Sequence, residues 1–460
     1  MSAIRSPQPS SPSSPSSFTV IGGGVIGISV ALTLQREGHR VTVLEQAGPG
    51  EGCSFGNAGC VSTASVIPMA MPGMLAKVPA WLSDPMGPLT VRWRYLPRAM
   101  PWLMRWLLAA TEARARHTSR ALHALHQETW PGYRALLGPA QFDDLMQAAG
   151  HLYVWRAAEL GAGDRLAQQM RDDLGIASQA LSGDQARELE PALSQGIRTA
   201  LLLPENGHTC NPERLVKTLA AAFVREGGVL LRRKVLGFDI GAQGPRTVYT
   251  DCGSYPVSRL AICAGAWSMR VARGLTGMAV PLETERGYHA MLRAPGVAPT
   301  RPIMDCENKF IATPMEHGLR IAGTVEIGGL DAPANFRRAA LLAEQGRQLF
   351  PGLTYEDASH WMGYRPSTPD GLPVIDRSDR FSNVFLAFGH GHLGITEAPG
   401  TARLLADLVA DRAPCIDPAP FAMTRFARGG GAAQRGVAAP DAAQASAVAK
   451  DARRSAASSR

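Results

Sequence analysis

"FTVIGGGVIGISVALTLQREGHRVTVLEQ" occupies residues 18–46. Phe18–Ile21 is a short apolar run of strand-like composition, ending in Gly22-x-Gly24-x-x-Gly27. Apolar residues then recur at Val25, Ile28 and Leu32 with a helical period, and Gly38 stops the helix. Small Ala31, four residues after Gly27, lets helix and sheet pack closely. Arg40–Leu44 is a second β run, with Glu45 at its end. This is the βαβ fingerprint of a dinucleotide-binding turn: the glycines permit the tight turn and close approach of phosphates, and the helix N-terminus faces the pyrophosphate. Ile21, Gly22, Gly23, Gly24, Val25, Ile26 and Gly27 are expected to form that cradle. Glu45, followed by Gln46, is expected to accept hydrogen bonds from a ribose hydroxyl pair. The spacing alone does not separate NAD from FAD.

The rest of the chain is of ordinary globular composition, 45% hydrophobic and 19% charged over 460 residues, a length for two or three domains or two interleaved ones. Residues 427–460 hold a net charge of +4 and Arg5 adds one more, so the body keeps about +3 of the total +8. Nucleic-acid binding is therefore a poor inference. Seven cysteines, odd in number and without a CxxC pair, fit a reduced cytoplasmic protein. Residues 1–17, Ser- and Pro-rich, lack the apolar core of a secretory signal. They and the Ala/Gly/Arg-rich 427–460 are expected to be disordered tails. No apolar run approaches the roughly 20 residues of a membrane-spanning helix.

A second glycine-rich stretch, "AFGHGHLGIT" at 387–396, sets His390 and His392 one residue apart. On an extended backbone they would share a side, as a metal site or a catalytic base could use. No third ligand stands nearby at metal-site spacing, so no metal is assigned. The following "GITEAPGTARLLADLVA" reads as a helix with Thr396 as N-cap and Glu397 and Pro399 in its first turn. Gly389, Gly391 and Gly394 would leave backbone N–H groups free near that helix end, an anion-binding arrangement.

Three further stretches, "GCSFGNAGCV" (52–61), "RLAICAGAWS" (259–268) and "GYRPSTPDGLPVID" (363–376), occur with these two in one order. Together they resemble the D-amino-acid oxidase-like superfamily of flavoproteins, nearest to bacterial D-amino-acid dehydrogenases and D-hydroxyproline dehydrogenases, over about residues 18–415. The resemblance implies an α/β fold: a Rossmann-like FAD-binding domain built from discontinuous segments, and an α+β substrate domain with a mixed sheet. The FAD pieces would be 18–90, 205–280 and 360–415, and the substrate pieces 91–204 and 281–359. It also implies that Ser54, Asn57, Ala58, Gly59, Val235, Ala264 and Gly265 join the cradle, with Gly391, His392, Leu393, Gly394, Ile395 and Thr396 at the flavin. The relatives that tether flavin to a Cys carry it within the stretch matching 363–368. None stands there, so FAD is expected to be non-covalent.

By the same resemblance Arg365 matches the substrate-carboxylate clamp, and Tyr288, in "ETERGYHAML" (283–292), a carboxylate-binding hydroxyl. Arg286 and Tyr288 would point together from a strand, and His390 is a candidate base. The reaction implied is oxidation of a D-amino acid by hydride transfer to flavin N5, with electrons passing to a quinone or other acceptor. Alternatives are a D-hydroxyproline dehydrogenase and a non-catalytic flavin-holding subunit. Residues 91–120, with seven Arg and four Trp or Tyr, could lie on an anionic membrane, such as the inner membrane, or hold a partner subunit.

Overall fold

The computed structural model describes residues 17–73, 86–87 and 89–427. The two tails expected to be disordered lie outside these residues, apart from Ser17 and Ala427. Ser17 is no tail residue: it opens the first strand, opposite Arg40.

Two large sheets organise the molecule. In the first, Val229–Arg232, Arg40–Glu45, Ser17–Ile21, Arg259–Ile262 and Val384–Phe388 run parallel in that order, and Val374–Arg377 closes the edge antiparallel. Alternate residues explain its two covered faces. Phe18, Val20, Val43 and Ala261 pack under the helices Val25–Arg36, Pro212–Arg225 and Gly394–Val409, while Ile21, Leu44, Leu260 and Ile262 pack with Val248 and Val257 on the other side. The stretch 229–240, which reads as one β run, is in fact two strands. Arg233 donates its N–H to the Glu45 carbonyl at 2.7 Å, and the chain then leaves the parallel sheet. Val235–Gly241 enters a separate three-stranded antiparallel sheet.

Among the described residues the second sheet has nine strands and mixed direction. Asp357–Ser367 forms one edge, then Glu283–Arg293, then Gly318–Ile327, all antiparallel. Its remaining strands include Phe310–Met315, His151–Trp155 and Thr199–Leu203. Helix Arg337–Leu349 packs Ala339, Leu342 and Ala343 against Tyr288, Ala290 and Leu292.

Helix Gly394–Val409 begins earlier than its sequence suggests. Leu393 holds the cap position, and Thr396 lies inside with its hydroxyl accepting from the Ser62 N–H at 2.9 Å. Pro399 also lies inside, beyond the first turn, and cannot donate to the Ile395 carbonyl one turn back. Tyr133 supplies the missing donor at 2.6 Å, and Thr129 serves the Thr396 carbonyl at 2.8 Å. That tertiary compensation makes an interior proline tolerable here. Segment 91–120 divides at Thr111, which caps the second of two helices, Leu96–Ala109 and Glu112–His126. Among the described residues no helix is long and apolar enough to cross a membrane.

Candidate active site and cofactor cradle

The nucleotide end is shaped by glycines that nothing else could replace. Gly22 has φ +111°, and a Cβ there would sit 2.3 Å from the Cys263 carbonyl oxygen and 3.2 Å from Ala264 Cα. A Cβ on Gly27 would lie 1.9 Å from the Gly22 carbonyl oxygen. Helix Val25–Arg36 opens on Gly24 without a side-chain cap of its own. Ser54 takes that role, its Oγ accepting from the Val25 N–H at 3.0 Å. The hydroxyl hydrogen remains available to donate to an anion. Glu45 stands above Gly23, its two oxygens accepting from Gly23 N–H at 2.5 Å and Ala47 N–H at 2.9 Å. Each oxygen keeps a further acceptor site for a hydroxyl. Gln46 beside it is exposed, Val235 half-buried. A cradle that only glycine fits, a helix N-terminus capped by a hydroxyl that can still donate, and an oriented carboxylate suit a dinucleotide such as FAD.

Loop 52–59 carries the cradle to the second sheet. Arg320 donates to the carbonyls of Phe55 and Asn57, and His289 Nδ1 lies 3.0 Å from the Gly56 oxygen. Asn57 Oδ1 accepts from the Gly59 N–H, which pinches the turn before Cys60, with Ala58 at its tip. Burial, helped by Arg320, pushes the His289 imidazole down to about 3, so it is neutral. Sequence reasoning missed Arg320 and left His289 without a role, because each acts on a loop more than 200 residues distant.

Arg365 lies on the same face. It pairs across strands with Glu285, and its guanidinium lies flat where Gly287 has no side chain; a Cβ on Gly287 would meet Arg365 Cζ at 2.4 Å. Gly287 faces Gly363 directly, so the sheet is bare at that point. A glycine inside a strand signals such close approach, and it could have marked this face in the sequence. Arg365 Nη1 donates to the Thr324 carbonyl at 3.0 Å. Thr324 has φ +58° and sits at an irregularity where two residues oppose Gly287, a bulge that aims its carbonyl at the guanidinium. A cavity of about 40 Å³ is lined by Glu285, Ser367, Trp106, Met69 and the loop His390–Leu393.

Residues 17–408 match the family described as FAD dependent oxidoreductase. The chain belongs to the FAD-dependent oxidoreductase family. It is 38% identical over 414 residues to a D-amino-acid oxidase of Bradyrhizobium diazoefficiens, covering 88% of this chain and 98% of that one. It is 33% identical over 430 residues to D-amino acid dehydrogenase 2 of Ralstonia nicotianae, covering 89% and 100%. Among solved structures, glycine oxidase from Geobacillus kaustophilus superposes with a TM-score of 0.68 at 23% identity, over 89% of this chain and 98% of that one. That likeness shows the α/β fold.

Three expectations for the oxidoreductase's site need correction. Arg286 and Tyr288 do point together, but away from Arg365. Arg286 Nη1 donates to Glu326 Oε2 at 2.9 Å and Tyr288 Oη to the same oxygen at 2.7 Å. Asn335 N–H donates to Tyr288 Oη at 3.1 Å, and Arg286 also serves the Ala332 and Pro333 carbonyls. Both side chains are buried and held by Glu326 and the loop 332–335, with Arg286 Nε left without a partner, and Tyr288 packs with the helix Arg337–Leu349. His390 and His392 do not share a side. Gly391, with φ +52°, turns the chain between them, so His390 is buried and His392 exposed. His390 Nε2 lies 2.9 Å from Thr401 Oγ1, and burial pushes its imidazole down to about 3. Finally, the loop's N–H groups are not all free: Gly391 donates to the Pro366 carbonyl at 2.8 Å and Leu393 to His390 at 2.9 Å. The orphan donors are those of the helix's first turn, at Gly394, Ile395 and Thr396.

Beneath that turn lies a pair the sequence did not announce. Glu397 and His126 are both buried, with Nε2 and Oε1 3.6 Å apart, and His126 Nδ1 is 3.1 Å from the Thr63 carbonyl. Burial pushes the Glu397 carboxyl up, partly offset by His126.

Proposed function

We propose that this chain oxidises the α-carbon–nitrogen bond of D-amino acids, with the substrate carboxylate on Arg365. The observation that carries this reading is the placement of Arg365: a planar fork lying over Gly287, beside the cavity edged by the His390–Leu393 loop. A guanidinium fits a carboxylate bidentately, and fixing the carboxylate fixes where the α-hydrogen points. The relatives named D-amino-acid oxidase and D-amino acid dehydrogenase support the substrate class. FAD, when bound, supplies the two-electron acceptor. Residues 22–27, Glu45 and Ser54 hold its nucleotide end, and the first turn of Gly394–Val409 faces the flavin. The pieces 18–90, 205–280 and 360–415 serve the cofactor and the rest the substrate. Residues 363–368 contain no Cys, so acid or heat releases the flavin from the precipitated protein.

The electrons pass to an acceptor, a quinone in this reading. Trp93, Met100, Met104 and Leu108 are exposed in or beside Leu96–Ala109, among exposed Arg94, Arg98 and Arg114. A basic, apolar face of this kind suits peripheral contact with an anionic bilayer. Co-sedimentation with anionic but not neutral vesicles supports the contact, and failure with both removes it.

The function is tested by reduction of a dye acceptor with D- and L-amino acids, glycine, sarcosine and D-hydroxyproline. Turnover of D-amino acids is the expected result. Exclusive turnover of D-hydroxyproline narrows the substrate to cyclic imino acids. No turnover of any amine overturns the reading in favour of a non-catalytic subunit.

A further inference from the structure

We propose that Glu285 is a catalytic base that takes a proton from the substrate ammonium group before oxidation. The inference rests on the reading that Arg365 binds the substrate carboxylate. Glu285 lies across the strands from Arg365 on the same face and lines the cavity at the His390–Leu393 loop. Its side chain is buried, yet Oε2 has no hydrogen-bond partner. Such a buried, unmatched carboxylate costs stability unless something else meets it. Arg365 attracts Glu285 but spends Nη1 on the Thr324 carbonyl. A zwitterion supplies the matching charges: carboxylate to Arg365, ammonium to Glu285.

The chemistry requires this service. An amino acid arrives at neutral pH as the ammonium form, whose nitrogen has no lone pair to close a C=N bond. In the proposed step one N–H bond breaks, an O–H bond forms on Glu285, and the N–H electron pair remains on nitrogen. The α-hydrogen then leaves with its electrons to the oxidant of the established activity, and the lone pair closes the iminium. Proton, charge and electrons balance.

The surroundings suit a base of moderate strength. Burial pushes the Glu285 carboxyl above the ordinary carboxylate range, offset by Arg365 and by a hydrogen bond with Ser367, and reinforced by Glu283 on its own strand. His390 and His392 line the cavity from the loop opposite. A carboxyl raised above its ordinary range matches the proton it must accept better than a free one.

The test follows anaerobic flavin reduction in the holoenzyme by D-alanine, comparing wild type, Glu285→Gln and Glu285→Asp across pH. At neutral pH Glu285→Gln should reduce the apparent second-order rate constant at least about tenfold. The deficit should close at a pH where D-alanine is already a neutral amine, and Glu285→Asp should restore part of the neutral-pH rate. Propionate, which has the carboxylate but no amine, should bind Glu285→Gln at least as tightly as wild type, read from the flavin spectrum. A wild-type profile in Glu285→Gln, a deficit equal at every pH, or loss of bound FAD would each overturn the proposal. Wild type that no D-amino acid reduces instead overturns the substrate reading beneath it.

Discussion

Strand Glu283–Arg293 has two faces, and both carry charge in a buried setting. On one, Arg286 and Tyr288 close around Glu326, whose other oxygen takes Arg92 Nε at 2.9 Å. On the other, Glu285 keeps an oxygen without a partner and Arg365 lies across bare backbone at Gly287. On the first face both Glu326 oxygens are paired, though Arg286 Nε has no partner, and the cluster holds the sheet to the loop 332–335. The second is incomplete and faces a cavity. Buried charges that satisfy each other stabilise a fold; buried charges that do not are where a ligand is expected. Charge and burial alone would not tell the two apart.

The titration of the two carboxylates divides the same way. Burial works against ionised Glu326, but Arg92, Tyr288 and Arg286 overcome it and hold its carboxyl below the usual range. Its lowered value contributes stability above the unfolded pKa, lost as pH falls through the folded one. Glu285 is raised, so its contribution is present at low pH and lost as pH rises through the folded value. Glu285→Gln should therefore stabilise the protein at neutral pH, with the gain vanishing on acidification. Glu326→Gln should destabilise it at neutral pH, by less as acid is added. Thermal unfolding at a series of pH values checks both signs.

The largest expected effect is on the face where Glu326 is paired. Glu326→Ala strands Arg286 in the interior and should cost about 3–5 kcal/mol of stability, the range for breaking a buried pair. The folded fraction should keep wild-type kcat/KM, measured at a temperature where the variant holds its FAD. A folded, flavin-loaded Glu326→Ala without activity would make this face part of the chemistry.

Next comes Arg365. Lysine keeps the charge but not the fork, so Arg365→Lys should lose about 1.5–3 kcal/mol in kcat/KM, roughly ten- to a hundredfold. Arg365→Ala should lose more, with flavin retained. An amine lacking a carboxylate never uses the clamp, so its slow turnover should be indifferent to either change. Equal loss with both substrates would remove Arg365 as the clamp.

Glu45→Ala removes the carboxylate over Gly23 and should weaken FAD binding by about 1.5–3 kcal/mol, again ten- to a hundredfold. Titration of apoprotein measures it, and unchanged affinity would mean that Glu45 does not meet the ribose. Smallest is Tyr288→Phe. Asn335 N–H loses its acceptor and Glu326 one donor, for about 0.5–1.5 kcal/mol of stability, while kcat/KM stays unchanged. Loss of turnover with flavin intact would return Tyr288 to the role its sequence position suggests.

What was legible in the sequence was local. Gly22 takes φ +111° and Gly27 is required by the Gly22 carbonyl oxygen in the same turn, so their spacing alone reports the βαβ unit and its ligand end. Asn211 caps its helix through its own neighbour, Arg214 N–H, and could be read directly. A period of two likewise says that Arg286 goes with Tyr288 and Glu285 with His289. It does not say which face of the strand meets the cavity. That was decided by Asp357–Ser367, more than 70 residues on, which lays Arg365 beside Glu285, and by helix Arg337–Leu349 covering the opposite face. Thr396 reads as a cap until Tyr133 makes Pro399 acceptable inside the helix, and His390 reads as a partner of His392 until Gly391 turns between them. Local sterics belong to the residues themselves, whereas which face is buried depends on free energies shared with chain far away in sequence.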